Sequence, residues 1–267
     1  MPDSGPAFFA VDVGASWVKS GLVVNGRADE IAKEPVAREL DALVEQLNRL
    51  SAGRHWGLCV AGLVDPAAGV LRYSANLGLR DAPLVQLLET EPVVFANDLD
   101  AAAVGEADGG TLALLQIGTG IAGRFVVDGH VLPSATGLAG EVGHLRFRDD
   151  GLRCTCGRTG CAEAYGSWGA LAGRHPAAAE PSDLPPDVVA DAYEAIGFAA
   201  AALVATCDPG RLRIGGGLAA AWGETLLEAV RRELSERVLP DVAAATAVER
   251  GRLGDAAALV GLARSVR

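Results

Sequence analysis

The chain has 267 residues, of which 50% are apolar and 21% are charged, and its net charge of −11 corresponds to a pI of about 4.8. This composition is typical of a folded protein with a substantial core and excludes a disordered one. The basic residues are scattered among acids, whereas a protein that follows a nucleic-acid backbone needs a basic face, so we expect no nucleic-acid partner. We also expect no membrane partner, because no uninterrupted apolar run reaches the roughly 18–20 residues of a membrane span.

Strand-like and helix-like segments alternate along the chain. The apolar run at 7–13 predicts a buried strand, and Asn25-Gly26 predicts a hairpin turn after a second strand. Apolar residues with helical spacing at 40–50 predict the first helix. Further strands are expected within 55–65, 91–96, 111–117 and 211–215, and further helices within 101–107, 187–206, 226–234 and 255–263. This alternation predicts an α/β protein.

The first residues of the sequence predict the compartment of the protein, and the compartment in turn decides how the cysteines are interpreted. The segment MPDSGPAFFAVDVG lacks the basic start and the long apolar centre of an export signal, so the cytoplasm is the expected compartment. Thiols stay reduced there, and clustered cysteines are therefore interpreted as metal ligands or redox groups before disulfides.

Three of the predicted strands end in glycine-rich turns, VDVGAS, QIGTG and IGGG. Ligands of α/β proteins bind where strands end and helices begin, and helix N-termini attract phosphate groups. One such turn can equally be a tight turn and nothing more, but three together favour a phosphate-bearing ligand. The segment FANDLDAAAVGE adds Asn97, Asp98 and Asp100 directly after a strand. A carboxylate in that place can accept a proton from a substrate hydroxyl group.

Three of the five cysteines lie within eight residues, in CTCGRTGC. Cys154, Cys156 and Cys161 supply three soft ligands, and His144, ten residues upstream in GEVGH, supplies the fourth ligand of a tetrahedral zinc site. Three unliganded thiols in a surface loop are the alternative. A redox site is less favoured, because no CxxC motif stands in a thioredoxin-like context.

These motifs together resemble those of the ROK family, which contains sugar kinases and related repressors with the actin-like ATPase fold. The most specific part is GLAGEVGHLRF followed by CTCGRTGCAE, which resembles the family's zinc signature. VDVGASWVK is similar to the first phosphate loop, QIGTGIAG to the second, and IGGGL to the loop beside the adenosine. FANDLDAAAVGE resembles the segment of the catalytic base, and YSANLGLRD resembles a sugar-contacting loop.

The resemblance covers nearly the whole chain and implies an α/β protein with the actin-like ATPase (ribonuclease H-like) fold, with two lobes around a central cleft. Residues 1–107 would form the smaller N-terminal lobe, and residues 108–267 the larger C-terminal lobe with the zinc-binding loop. The final helix would pack back on the N-terminal lobe. The implied assembly is a homodimer.

The resemblance also implies a role for each candidate site residue. Asp98 would be the general base that takes the proton from the sugar's 6-hydroxyl group. The sugar would be bound by Asn76, Asn97, Asp98, Glu141, His144 and Glu163. Mg²⁺ and ATP would be bound by Asp12, Gly14, Ser16, Gly118, Thr119, Gly120, Gly215, Gly216 and Gly217. A structural Zn²⁺ ion would be bound by His144, Cys154, Cys156 and Cys161.

The implied activity is transfer of the γ-phosphoryl group of ATP to the 6-hydroxyl group of a hexose, with glucose as the first candidate. Amino sugars, N-acetylated sugars and cyclitols are alternative acceptors, and polyphosphate is an alternative donor. A sugar sensor with little or no catalysis is an alternative of a different class. The phosphate loops depart from the family pattern at Ala15, Ala122 and Arg124, and these departures bear on nucleotide affinity.

Overall fold

The computed structural model describes residues 7–266, so the expected lobe ends at residues 1 and 267 lie outside the described residues. The strands in this range are β1 Phe8–Val13, β2 Trp17–Val24, β3 Arg27–Pro35, β4 Trp56–Val60, β5 Leu63–Asp65, β6 Val70–Ser74, β7 Leu79–Ala82, β8 Val94–Asn97, β9 Thr111–Ile117, β10 Ile121–Val127, β11 His130–Val131, β12 Arg211–Gly215 and β13 Ala247–Arg250. The α-helices in this range are α1 Leu40–Ser51, α2 Asp98–Glu106, α3 Glu163–Gly166, α4 Trp168–Arg174, α5 Pro186–Cys207, α6 Gly217–Arg237, α7 Pro240–Ala245 and α8 Ala257–Ser265.

The chain divides into two compact units. Within the described range, unit 1 comprises residues 7–106, 133–138 and 253–266, and unit 2 comprises residues 107–132 and 139–252. Each unit has its own five-stranded sheet. Each also has its own cluster of buried apolar residues.

The main sheet of unit 1 has the strand order β3-β2-β1-β4-β8. Strands β1, β2 and β3 are antiparallel neighbours, whereas β1, β4 and β8 run parallel. The carboxyl ends of β1, β4 and β8 therefore meet at one edge, where Asp12 and Asn97 lie. A second, three-stranded sheet joins β5, β6 and β7, so the expected loop YSANLGLRD is instead the end of β6, a turn and most of β7.

The final helix, α8, belongs to unit 1. It packs against α2 and against β1, β2 and β4. Gly105 of α2 and Gly261 of α8 face each other, and a Cβ atom on either would collide with the backbone of the other helix. Glycine at both positions therefore permits the two helices to approach at backbone distance.

The sheet of unit 2 has the strand order β11-β10-β9-β12-β13. Strands β9, β12 and β13 are parallel, and Gln116 is the register partner of Gly215. The turns after β9 and β12 consequently lie side by side at the carboxyl edge. Arg213 on β12 is 1% exposed, and its guanidinium group is paired with Asp108 at 2.8 Å and with Glu249 at 3.2 Å. These partners compensate for the loss of water around a buried charge.

Helix α5 is the main apolar helix of unit 2. It has 22 residues, and an 18-residue stretch of it has a mean hydropathy of 1.6, so by length and composition alone it could cross a membrane. The helix also contains Asp187, Asp191 and Glu194, so it does not include an uninterrupted apolar run of the length that a span requires. Half of that stretch is buried inside the protein, with Ala195, Ile196, Ala199 and Val204 in the core. Burial in the core accounts for the apolar composition, and the helix is not a clear membrane span.

Candidate active site and metal-ligand cluster

Asp98 lies at the junction of β8 and α2 in unit 1. The side-chain oxygen of Asn97 accepts hydrogen bonds from the backbone N–H groups of Leu99 at 2.9 Å and Asp100 at 3.0 Å. The side-chain amide of Asn97 donates to the carbonyl oxygen of Gly62 at 2.8 Å and to the Asp98 carboxylate at 3.0 Å. Asn97 therefore caps α2 and orients Asp98. Because of this cap, the helix begins three residues before the expected start at residue 101.

Asp12 is 5% exposed, and its carboxylate has two side-chain partners. Lys19 Nζ lies 3.3 Å from one oxygen, and the Cys59 thiol donates to the other at 3.6 Å. Burial raises the pKa of Asp12, and the Lys19 ammonium group opposes that rise. Lys19 also lies 3.2 Å from Asp255. Lys19 was not among the residues predicted from the sequence, because its pairing with Asp12 depends on the register of the hairpin formed by β1 and β2.

The candidate Mg²⁺ ligand is a single carboxylate. Mg²⁺ in nucleotide sites usually takes one or two protein carboxylates and completes its shell with water and phosphate oxygens. Asp12 fits that pattern. A Mg²⁺ ion bound by this carboxylate would lie beside the Lys19 ammonium group, which already pairs with it.

The other predicted residues of unit 1 lie in turns. The N–H group of Gly14 donates to the carbonyl oxygen of Trp17 at 2.9 Å, which closes the first loop. Ser16 in this loop is exposed. Asn76 is exposed in the turn between β6 and β7, and its carbonyl oxygen accepts a hydrogen bond from Arg38.

The two predicted phosphate loops of unit 2 lie at the carboxyl ends of β9 and β12. Residues 118–120 form the turn between β9 and β10, closed by a 3.0 Å hydrogen bond from Gly118 N–H to the Gly120 carbonyl oxygen. Gly216 has a φ of +93° and lies against the backbone of Ile117, where a Cβ atom has no space. Gly217 begins α6, whose N-terminus is suited to phosphate. The structure thus brings both loops together in an arrangement that fits a phosphate-bearing ligand.

His144, Cys154, Cys156 and Cys161 form a compact cluster in unit 2, with ligand atoms all within 4.8 Å of one another. The sulfur atoms of Cys156 and Cys161 are 3.6 Å apart, and the Cys154 sulfur is 3.6 Å from His144 Nδ1. A tetrahedral zinc ion with Zn–S bonds of about 2.3 Å holds its sulfur ligands about 3.8 Å apart. The donor set and its spacing therefore fit a structural zinc ion, bound through Nδ1 of the histidine.

The thiols of this cluster differ in acidity. Burial, followed by the neighbouring thiols, raises the pKa of Cys161 to about 12. Burial also acts to raise the pKa of Cys156, but the backbone N–H group of Arg158 and the neighbouring cysteines outweigh it and lower that pKa to about 7. Thiolates are the metal-binding form. Cys156 is therefore the most readily ionised ligand of the cluster, and a metal must displace a proton from Cys161.

Glu141 and Arg124 form a second group beside this cluster. Arg124 is 6% exposed and donates from Nη1 to the carbonyl oxygens of Gly123 and Ala139, both at 2.8 Å. The same nitrogen lies 3.9 Å from the Glu141 carboxylate. Burial raises the pKa of Glu141, and Arg124 opposes that rise. Arg124, which the sequence analysis identified only as a departure from the family pattern, thus fixes the backbone before Glu141.

Glu163 connects the cluster with the turn after β9. One carboxylate oxygen accepts a hydrogen bond from the Ile121 N–H group at 2.9 Å. The other lies 3.9 Å from both His144 Nδ1 and the Cys154 sulfur. The structure therefore places Glu163 next to His144 and Cys154, and it adds a hydrogen bond to the residue after the second loop that no sequence motif predicted.

Comparison with known proteins identifies the family. The model of the ROK family matches residues 21–267. A glucokinase from Halalkalibacterium halodurans is 29% identical over 95% of this chain and 93% of its own length. An N-acetylmannosamine kinase from Salmonella agona is 33% identical over 66% of this chain and 64% of its own. The crystal structure of a ROK family glucokinase from Streptomyces griseus, in complex with glucose and AMPPNP, has a TM-score of 0.80 at 26% identity and covers 97% of this chain and 98% of that one.

The chain belongs to the ROK family. The expected fold class is confirmed, since the protein has the α/β, actin-like ATPase fold of the family's sugar kinases. The relatives that span almost its entire length also confirm the expected enzyme class, a hexokinase-type phosphotransferase.

Proposed function

We propose that the protein transfers the γ-phosphoryl group of ATP to the 6-hydroxyl group of glucose. The observation that carries this proposal is the carboxylate of Asp98, oriented by the Asn97 cap at the carboxyl ends of the parallel strands β1, β4 and β8. Relatives named glucokinases, which match along nearly the whole chain, support glucose as the acceptor.

In this mechanism Asp98 accepts the proton of the 6-hydroxyl group while that oxygen bonds to the γ-phosphorus atom and ADP leaves. The sugar hydroxyl groups are oriented by Asn76, Glu141, His144 and Glu163. Asn97 orients Asp98 and also contacts the sugar itself. The glycine loops after β9 and β12 bind the phosphates and the nucleotide through backbone N–H groups. Most of the rate enhancement in such a reaction comes from positioning and from charge neutralisation.

Two metal ions belong to the proposal. Asp12, with Gly14 and Ser16 near it, would hold Mg²⁺ at the phosphates, and Mg²⁺ supplies charge neutralisation when it is bound. His144, Cys154, Cys156 and Cys161 would hold Zn²⁺, which supplies structural rigidity. His144 would then face the zinc through Nδ1 and the sugar through Nε2.

A second candidate acceptor is an N-acetylated hexosamine. The partial match to an N-acetylmannosamine kinase, at 33% identity, favours this alternative over amino sugars and cyclitols. The proposal also retains a cytoplasmic location, a homodimer, and two lobes, residues 1–107 and 108–267, with the final helix packed back on the first lobe.

The test is sugar-dependent release of ADP from Mg·ATP by the purified, zinc-loaded protein. The panel contains glucose, mannose, fructose, glucosamine, N-acetylglucosamine, N-acetylmannosamine and a cyclitol, with polyphosphate as a second donor. We expect the highest kcat/KM with glucose. A higher kcat/KM with N-acetylmannosamine would transfer the proposal to the second candidate, and no turnover with any sugar or donor would contradict it and favour a sugar sensor.

A further inference from the structure

The turn at residues 118–120, which we call the donor loop, is held by the segment that follows the zinc ligands. The N–H groups of Trp168 and Gly169 donate to the carbonyl oxygens of the first two loop residues, at 2.8 and 3.2 Å. A Cβ atom on Gly169 would lie only 2.5 Å from the second of these oxygens. The segment and the donor loop are therefore in direct backbone contact.

Glu163 supplies a third attachment, and it is the only one of the three made by a side chain. Its side chain is 14% exposed, and the carboxylate accepts the hydrogen bond from Ile121, the residue directly after the loop. A Cβ atom on Gly120 would lie 2.6 Å from the same carboxylate oxygen, so the glycine leaves room for this approach. A charged acceptor makes a stronger hydrogen bond to an N–H group than a neutral one.

The other oxygen of Glu163 points to the metal-ligand cluster, 3.9 Å from His144 Nδ1. On the neighbouring chain segment, Gly143 packs against the carbonyl oxygen and side chain of Ile121, where a Cβ atom has no space. Gly143 and Glu163 flank the segment that carries the predicted zinc ligands, and both contact Ile121, the residue directly after the donor loop. Glu163 lies between a predicted zinc ligand and a predicted phosphate loop and contacts both.

We propose that Glu163 is a positioning residue for the phosphate donor, in addition to its proposed contact with the sugar. Its hydrogen bond to Ile121 holds the donor loop in the conformation that binds phosphate, so the segment that orders the sugar side of the site also orders the donor side. The inference rests on the proposed function, in which residues 118–120 bind the phosphates of ATP. A residue that contacts only the sugar has no effect on nucleotide binding when sugar is absent.

The experiment is calorimetric titration of Mg·AMPPNP into the zinc-loaded, full-length protein without sugar. Glu163→Ala removes the acceptor, and we expect a dissociation constant about tenfold higher, which corresponds to about 1.4 kcal/mol. Glu163→Gln retains an oxygen acceptor for the Ile121 N–H group, and we expect a value within about threefold of wild type. Glu141→Ala is the matched control, because Glu141 is the other proposed acidic sugar ligand and pairs with Arg124 instead of the donor loop. We expect its nucleotide affinity to equal that of wild type.

Steady-state kinetics provide the second measurement. Glu163→Ala should raise KM for ATP, whereas Glu163→Gln should raise KM for the sugar and leave KM for ATP near wild type. Where Glu163→Ala does not yield folded, zinc-loaded protein, Glu163→Asp takes its place. Its shorter side chain keeps the charge and places the carboxylate too far from Ile121, so we expect several-fold weaker AMPPNP binding.

Unchanged AMPPNP affinity in Glu163→Ala or Glu163→Asp, beside weakened sugar binding, would overturn the inference alone and leave Glu163 as a sugar ligand. Equal losses in the Ala and Gln variants would also overturn it, since the hydrogen bond would then not be the cause. Failure of the wild-type protein to bind AMPPNP would overturn the proposed donor and this inference together.

Discussion

Asn97 and Asp98 are adjacent and polar, and the sequence suggests the same sugar-binding role for both. In the structure the two side chains make different contacts. Asn97 bonds to Gly62 and to the first N–H groups of α2, whereas Asp98 receives one of its hydrogen bonds from Asn97. An N-cap of this kind contributes about 0.5–2 kcal/mol to stability, so Asn97 serves the helix as well as the proposed site.

Asp98→Asn tests the proposed base directly. The amide cannot accept the proton of the sugar hydroxyl group, so we expect turnover to fall by about 100- to 10,000-fold, the typical range of general-base effects. Sugar affinity, measured by calorimetry, should stay within several-fold of wild type. Asp100→Asn is the matched control, two positions further along α2, and should retain most of the turnover. Substantial turnover in Asp98→Asn would rule out its role as the base.

At the level of elements, the loop from His144 to Cys161 has little regular structure of its own. Its isolated bridges pair Arg146 with Cys161 and Arg153 with Thr159. Such a loop gains order from a metal, because zinc binding to a four-ligand site stabilises the folded state by roughly 10–16 kcal/mol in small peptides. The predicted zinc ion is therefore expected to stabilise the segment that contains Glu141, His144 and Glu163.

Cys156→Ser should lower the zinc content from one ion per chain to well below one, measured by mass spectrometry of the metal. The melting temperature should fall with it, because a hydroxyl group is a poor zinc ligand. Cys207→Ser is the control, since Cys207 lies in α5 away from the cluster, and it should keep its zinc. A wild-type protein that is folded and free of zinc would refute the site.

In the whole molecule, each unit brings several of its predicted residues to the carboxyl edge of its own parallel strands. In unit 1 these are Asp12, Asn97 and Asp98, and in unit 2 they are the loops after β9 and β12. Parallel strands place their carboxyl ends on one side of a sheet, so residues far apart in sequence meet there. Because both units share this property, the three glycine-rich turns in the sequence indicated where the carboxyl ends of the strands lie.

The proposed homodimer predicts a mass of twice the 27.3 kDa of one chain. Light scattering coupled to size-exclusion chromatography at micromolar concentration measures this mass. The monomer mass at all concentrations tested would contradict the dimer. Turnover per chain that falls on dilution, in parallel with the mass, would indicate that the dimer is the active form.

Features that depend on short spacing along the chain could be predicted from the sequence. The ligand cluster is an example, since Cys154, Cys156 and Cys161 lie close along the chain and His144 is ten residues away. The long regular helices are another, because an apolar repeat over many residues carries its own signal. The expected helices at 40–50 and 187–206 are observed as Leu40–Ser51 and Pro186–Cys207.

Tertiary structure alone decided the features that depend on register and packing between distant segments. The strands β5 and β11, with three and two residues, form because neighbouring strands complete their hydrogen bonds, and segments this short carry no local pattern of their own. The bond between Glu163 and Ile121 joins positions 42 apart. The pairing of Lys19 with Asp12 follows from the register of a hairpin. Side chains meet across such distances only when the core has packed, because only the folded sheet brings their strands together.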